Sequence, residues 1–309
     1  MKLISVIMST YNEKKEYLSQ SIESILGQSY DKLEIIIVID NPKNEDLVSI
    51  INYYAQMDDR VKVIKNDKNL GLTTSLNKAL QYANGEYIAR MDADDINDFS
   101  RFEKEVEYLE KNNLDIVGCE TRRIDEENNI VISHANISYS PACIMKCLLF
   151  DNCVAHPTWL VRRDVYQHLK GYRNINLCED YDFLLRARKN SYNIGICNEI
   201  LFSYRINTKG ISRSNGLRQM LTARYLQKMY NNLNSIRQED IDHYLDRKIK
   251  EASKLKYEEA LKKANTGQEL IKQGKYYGVC YLIHAAFISK YVLGNFYRMV
   301  RMYILRKLY

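Results

Sequence analysis

The sequence predicts an α/β fold: a Rossmann-like, mostly parallel central sheet flanked by helices, followed by an α-helical C-terminal extension. Three observations predict it. Strand-like and helix-like hydrophobic periods alternate four times within the first hundred residues. One strand-like segment, Leu33–Ile39, is almost continuously apolar, as expected of a strand covered on both faces. After about Ser212 the apolar spacing is helical to the end of the chain.

Taken in order, Ile4–Met8 is a short β-branched run that gives way to the polar turn Ser9–Glu13. Leu18, Ile22, Ile25 and Leu26 then share one helical face. Leu33–Ile39 stops at Asp40-Asn41-Pro42, a turn signal. Leu47, Ile50, Ile51 and Tyr54 mark a second amphipathic helix, Val61–Ile64 a third strand, and Leu72, Leu76 and Leu80 a third helix. Tyr87–Met91 is the fourth strand, ending abruptly in Asp92-Ala93-Asp94-Asp95. Four strands joined by three helices imply parallel strands with right-handed crossovers. The polar clusters Thr10–Glu13, Asp40-Asn41 and Asp92–Asp95 all follow strand ends, so they are predicted to converge on the carboxyl edge, where open α/β sheets bind ligands. From Leu114 the pattern is mixed: a helix near Pro141–Phe150, a strand at Thr158–Val161, and a helix from Glu179 burying Phe183, Leu184 and Ala187. Strands resume near Ile194–Ile196 and Ile200–Tyr204. A domain boundary is placed near residue 215, and Gly216, Gly267, Gly274, Gly278 and Gly294 read as interruptions in the helices beyond it.

Composition narrows the class. With 46% hydrophobic residues among 309, the chain is globular and not disordered. The net charge of +6 is a property of the tail: residues 276–309 carry Lys290, Arg298, Arg301, Arg306 and Lys307 and no acid. Setting those five aside leaves 40 basic against 39 acidic residues, which argues against a body that wraps nucleic acid. Seven cysteines without a paired C-x-x-C fit a reducing compartment and speak against a zinc site. The N-terminus lacks the features of a signal peptide, and the apolar run Val279–Ile288, broken by His284, is too short to span a bilayer. A cytoplasmic protein is expected.

Two acidic constellations carry chemistry. Asp92-x-Asp94 at a strand end brings two carboxylates close together, with Asp95 adding a third, and hard oxygen ligands suit Mg²⁺ or Mn²⁺. Aspartates also serve turns and helix caps, so the pattern alone leaves both readings open. Glu179-Asp180 begins a helix, where the dipole favours carboxylates; one facing the crevice can take a proton from an attacking hydroxyl. Helix stabilisation is the other reading.

In register, these pieces resemble glycosyltransferase family 2, whose members have the GT-A fold. The residues that carry the resemblance are Val6–Glu13, Ile37–Asn41, Asn69-Leu70-Gly71-Leu72, Gly85–Asp95, His156-Pro157-Thr158, Gly171-Tyr172, Glu179–Asp182 and Tyr204-Arg205. They cover roughly residues 1–215. The resemblance implies an inverting transfer of a sugar from a nucleotide sugar, most often a UDP-sugar, to an acceptor hydroxyl of a cell-surface saccharide or lipid-linked saccharide. It makes 1–215 the catalytic domain, with a nucleotide-binding half at 1–95 and an acceptor half at 96–215, and leaves 216–309 as a helical region. It implies a nucleotide pocket of Thr10, Tyr11, Asn12, Glu13, Asp40, Asn69, Asn77, Asp92 and Ala93. Asp94, with Asp92, would ligate Mn²⁺ or Mg²⁺; Asp180 would be the general base with Glu179 supporting, and His156 and Tyr172 would lie on the acceptor side. The chain departs from the pattern at Asn207, where many members carry a metal- or diphosphate-binding His; Asn is the weaker ligand.

The tail lies outside the resemblance. Its tyrosines, aliphatics and five cations suit either a helix lying on an anionic membrane at the inner face of the plasma membrane, or one packed on the domain or against a second copy. Two rival functions are weighed. A sugar-nucleotide pyrophosphorylase needs a Gly-rich phosphate loop after the first strand, where this chain has Thr10-Tyr11-Asn12-Glu13. An inactive sugar-nucleotide-binding protein is opposed by the intact Asp92, Asp94 and Asp180 and favoured by Asn207.

Overall fold

The computed structural model describes residues 1–133, 139–206 and 215–308. The fold divides into two compact units, one of residues 1–148, 152–174 and 179–210, the other of 149–151, 175–178 and 211–309.

Among the described residues the first unit is built on one sheet of nine strands: β1 Ile4–Thr10, β2 Leu33–Ile39, β3 Val61–Lys65, β4 Tyr87–Asp92, β5 Ile96–Asn97, β6 Ile116–Ile124, β7 Ile130–Ser133, β8 Leu160–Arg162 and β9 Ile194–Arg205. Its order is β3-β2-β1-β4-β8-β6-β9-β5, with β7 paired to β6. β1 to β4, β6 and β9 run one way, and β5, β7 and β8 run the other. The parallel half is the predicted one. Every residue of β2 is buried, matching its unbroken apolar run, and each buried Ile or Leu there contributes about 1.5–3 kcal/mol. Helices α1 Lys15–Leu26, α2 Glu45–Met57 and α3 Leu72–Tyr82 make the crossovers, and α4 Arg101–Lys111 follows β5. The expected faces of α1 and α2 hold: Leu18, Ile22 and Ile25 are buried, as are Leu47, Ile51 and Tyr54. On α3 only Leu76 of the expected stripe is buried, flanked by Ser75 and Ala79.

The mixed half departs from sequence expectation in two places. The two strands expected near 194–204 are one strand, β9. The polar pair Asn198-Glu199 reads as a turn but lies in a bulge, where the register with β6 slips between Cys119 and Thr121. The strand expected from Thr158 begins at Leu160, after a 3₁₀ turn over His156–Thr158; Pro157, lacking an N–H, suits a helical start. Helices α5 Pro141–Cys147, α6 Arg163–Leu169 and α7 Glu179–Lys189 complete the unit, and Phe183, Leu184 and Ala187 are fully buried as predicted. One sheet runs through both the 1–95 and 96–215 halves, because β4 pairs with β8.

The second unit is helical: α8 Gly216–Lys228, a 3₁₀ turn Tyr230–Ser235, α9 Gln238–Lys248, α10 Glu251–Lys272, α11 Gly278–Ile288 and α12 Lys290–Leu308. Two of the glycines that read as interruptions mark a close crossing instead. A Cβ on Gly267 would come within 2.7 Å of the Gly278 carbonyl oxygen, and one on Gly278 within 2.5 Å of the Gly267 oxygen, so α10 and α11 meet backbone to backbone. Among the described residues no helix is long and apolar enough to cross a membrane. No disulfide joins the cysteines among the described residues.

Candidate active site

Sheet register brings three polar turns together. Thr10 lies opposite Ile39 of β2, and Ser9 opposite Asp92 of β4. The Asp40 amide donates to the Thr10 carbonyl (2.8 Å), and Asn41 Nδ2 donates to Asn12 Oδ1 (2.7 Å), linking the first loop to the second. In the first loop the Tyr11 amide donates to Glu13 Oε2 (2.8 Å), while the Tyr11 ring is exposed. Thr10 is buried, and its hydroxyl has no hydrogen-bond partner among the described residues.

Several residues expected to line a nucleotide pocket act first as internal ties. Asp40, buried, accepts from Asn66 Nδ2 (2.8 Å), the Leu70 amide (2.8 Å) and the Gly71 amide (2.9 Å). These three donors offset the cost of burying its charge and leave about one acceptor position for a ligand. Asn69 Oδ1 takes the same Gly71 amide at 2.9 Å, and Gly71 sits at φ +84°, a conformation glycine adopts without strain. Asn77, also expected at the nucleotide pocket, makes an internal tie of its own. Its amide clasps the backbone of Tyr172, donating to the carbonyl (2.8 Å) and accepting from the amide (2.9 Å). Ala93 is buried in the core cluster, so its backbone is the part left for a ligand.

The turn after β4 carries surplus negative charge. Burial, and then the neighbouring Asp92, raise the Asp94 carboxyl to about 6. Asp95, fully buried, is driven well above the usual carboxylate range by burial and by Asp92 and Asp94. Glu13, half-buried, rises to about 7 through burial, with the charges of Asp94 and Asp92 adding. Two arginines answer this charge. Arg90, buried two residues back on the same face of β4, pairs with Asp92. Arg205, at the end of β9, clamps the turn: its amide donates to Asp95 Oδ1 (2.7 Å), its Nε to the Asp94 carbonyl (2.8 Å), and its plane lies 4.1 Å from the centre of the Tyr17 ring. Ser21 Oγ holds the Asp92 carbonyl at 3.0 Å.

These donors are of the right kind for a hard divalent ion: oxygen only, crowded enough to raise one another's pKa, and with Asp95 Oδ2 buried without a hydrogen-bond partner among the described residues. No group of three or more His, Cys, Asp or Glu side chains among the described residues forms a complete metal cage. The set suits an ion that completes its shell with phosphate oxygens and water. Asn207 lies outside the described residues.

The first turn of α7 supplies the other acids, and they divide sharply. Asp182 is fully buried and paired with both Arg173 and Arg186, the latter at 2.8 Å; Arg186 also donates to the carbonyls of Leu169 (2.7 Å) and Gly171 (2.9 Å). That cluster anchors the loop before α7. Among the described residues Asp180 has no cation in contact. Its Oδ2 accepts from Asn152 Nδ2 (2.7 Å) and its Oδ1 from the Tyr181 amide (2.7 Å), and burial raises its pKa against these donors and Arg90. Glu179 rises to about 7 through burial and then Asp180, with Arg90 opposing and Asp92 adding. Arg90 thus acts electrostatically on Asp92, Asp94 and Asp95 on one side and on Glu179 and Asp180 on the other. The two acidic groups, more than eighty residues apart in sequence, share one field.

His156 and Tyr172 lie within the protein rather than on an open acceptor face. His156 Nε2 is 2.9 Å from the Tyr172 hydroxyl, which is 2.7 Å from that of Tyr166, and the group packs on Trp159 and Phe183. Burial and then Arg90 hold His156 well below its ordinary pKa, hence neutral. Arg90, Arg205 and Asn152 received no role from sequence reasoning. A signal existed for Arg90: a lone cation inside an apolar strand, two residues before Asp92 and therefore on its face.

The chain belongs to a family of sugar-transferring enzymes. The family model for glycosyl transferase family 2 matches residues 5–170, and the sheet and its flanking helices are the GT-A fold. The chain is 38% identical over 229 residues to an uncharacterized glycosyltransferase of Methanocaldococcus jannaschii, covering 74% of this chain and 79% of that one. It is 34% identical over 216 residues to the O-antigen biosynthesis glycosyltransferase WbnJ of Escherichia coli, covering 69% and 84%. In structure it resembles the mannosyltransferase PcManGT of Pyrobaculum calidifontis, solved with GDP-Man and Mn²⁺, with a TM-score of 0.60 and 16% identity over 97% of this chain and 87% of that one. The protein is a glycosyltransferase.

Proposed function

We propose that this glycosyltransferase moves a sugar from a UDP-sugar to a hydroxyl of a saccharide destined for a surface polysaccharide, with inversion at the anomeric carbon and with Mn²⁺ or Mg²⁺ held by Asp94 and Asp92. The single observation that carries the reading is that one compact unit holds both Asp92–Asp95, with Asp92 paired to Arg90, and Glu179-Asp180, with Asp180 held by neutral donors. WbnJ, an O-antigen enzyme, supports the acceptor class. The GDP-Man and Mn²⁺ of the Pyrobaculum enzyme support a nucleotide-sugar donor and a divalent ion. Uracil as the base rests on Asp40, whose remaining acceptor position suits a ring N–H.

In this reading the loop Tyr11–Glu13 and the acceptor position of Asp40 take the nucleoside, with the exposed Tyr11 ring free to stack on the base. Asp180, oriented by Asn152 and the Tyr181 amide, accepts the proton of the attacking hydroxyl. Its raised pKa makes it a stronger base than an exposed aspartate. Glu179, near 7, shares a proton with its surroundings and keeps the pair from carrying two full charges. Arg90 holds Asp92 in place and sets the field in which charge moves from base to leaving group. The bound divalent ion supplies the charge neutralisation that the departing diphosphate requires. His156, Tyr172 and Asn77 act from behind, fixing the loop at Gly171-Tyr172.

The test is UDP release from a panel of UDP-, GDP- and dTDP-sugars with Mn²⁺, for the wild type and for Asp180→Asn. Release from UDP-sugars that Asp180→Asn abolishes supports the reading. Binding without turnover in both proteins would return the chain to the class of inactive sugar-nucleotide binders.

A further inference from the structure

Away from the acidic turns, the C-terminal helix α12 is built inside out for a water-soluble helix. Leu293, Tyr297, Val300, Ile304 and Leu308 recur at helical spacing along one face, and all five are exposed (54, 68, 57, 49 and 69%). The opposite face buries Tyr291 and Met302, and turns Arg298 inward to pair with Asp151 at 2.9 Å. In α11, Val279, Ile283 and Phe287 are likewise one face of a helix and exposed, Phe287 by 86%. A contiguous apolar stripe in water is the mark of an unmet partner.

Charge identifies the partner. From Leu270 to the end of the chain there are seven Lys and Arg and no Asp or Glu. Exposed Lys290 and Arg301 border the α12 stripe on one side, and exposed Lys307 borders it on the other. The Tyr291 hydroxyl donates to the Lys248 carbonyl (3.2 Å), so the first turn of α12 adjoins a cavity of about 580 Å³ lined by three cations, Lys228, Arg247 and Lys248, against one acid, Asp240. A second copy meeting the same face would set cation against cation with no acid in the segment to answer. An anionic lipid surface offers apolar depth and negative phosphates together.

We propose that α11 and α12 seat the protein on an anionic lipid surface. Leu293, Tyr297, Val300, Ile304 and Leu308 enter the boundary between headgroups and acyl chains, and Lys290, Arg301 and Lys307 meet lipid phosphates. This stands independently of the donor and metal assignments.

The experiment is co-sedimentation of the full chain with vesicles of phosphatidylcholine alone or mixed with phosphatidylglycerol. Wild type is expected to partition onto the anionic vesicles about tenfold or more above the zwitterionic ones, and to lose that preference as salt is raised. The double variant V300E/I304E, altered only at exposed positions and checked by its unchanged melting temperature, should lose about tenfold or more of the binding. Wild type that ignores anionic vesicles, or a double variant that binds as wild type does, overturns the proposal. So does a lipid-free dimer, seen by light scattering, that V300E/I304E converts to monomer, since the face then belongs to a second copy.

Discussion

Asp180 and Asp182 stand two residues apart on α7 and live in opposite electrostatic worlds. Asp182 sits in a closed account of charge, fully buried between Arg173 and Arg186, with Arg186 also bound to two loop carbonyls. Among the described residues Asp180 is held by neutral donors, Asn152 and a backbone amide, and its pKa is raised. The turn Asp92–Asp95 resembles Asp180 in this respect, with more carboxylates than contacting cations. Residue type does not separate a structural aspartate from a reactive one; the neutrality of its surroundings does. A region whose charges cancel internally has nothing to offer a ligand, whereas one left negative is poised to take a proton or a cation.

Breaking the comparison at its reactive end should give the largest effect. Asp180→Asn should lower turnover by about a thousandfold, within the range for removing a general base, while leaving the melting temperature unchanged. A variant retaining a tenth of wild-type activity would remove Asp180 from that role. At the structural end, Asp182→Ala strands two arginines. It should cost about 3–5 kcal/mol in urea unfolding, and any loss of activity should track the unfolded fraction. Asn152→Ala sharpens the contrast further. With one donor gone the Asp180 carboxyl rises, so the acidic limb of the pH–rate profile should move to higher pH, with kcat down about tenfold. A merely structural Asn152 would leave that limb in place.

The smallest effect is a slope. Glu13 and Glu179 near 7 and Asp94 near 6 bind protons more tightly folded than unfolded. Their contribution is therefore fully present below about pH 4, and falls as pH rises toward about 7. The melting temperature of the metal-free protein should decline across that window. Mn²⁺ added near pH 7 should restore part of it by binding the charged forms. A melting temperature indifferent to Mn²⁺ in wild type, or equally responsive in Asp94→Asn, would take Asp94 out of the ion site.

Much of this was legible in the sequence because it is local. Short apolar runs and period-3.6 spacing set β1 to β4 and α1 to α3, and parallel topology then dictated that their polar ends meet at one edge. What stayed hidden depended on partners far along the chain. Asn77 reads as a polar helix residue until Tyr172, 95 residues away, lies across it. Asp40 reads as a free carboxylate until Asn66, Leu70 and Gly71 close on it. The bulge that makes β9 one strand is set by its pairing with β6, so Asn198-Glu199 reads locally as a turn. On α12 the apolar spacing belongs to the sequence, but its outward direction is set by which face packs on the rest of the helical unit.

The three donors on Asp40 carry a consequence for how the diphosphate can be gripped. Helix starts commonly cradle phosphates in their free amides. Just before α3 the amides of Leu70 and Gly71 are already taken by the Asp40 carboxylate, whose charge would repel a second anion there. An anion entering this fold would have to find its counter-charge elsewhere along the sheet edge, where Arg90 and Arg205 stand beside the acidic turn.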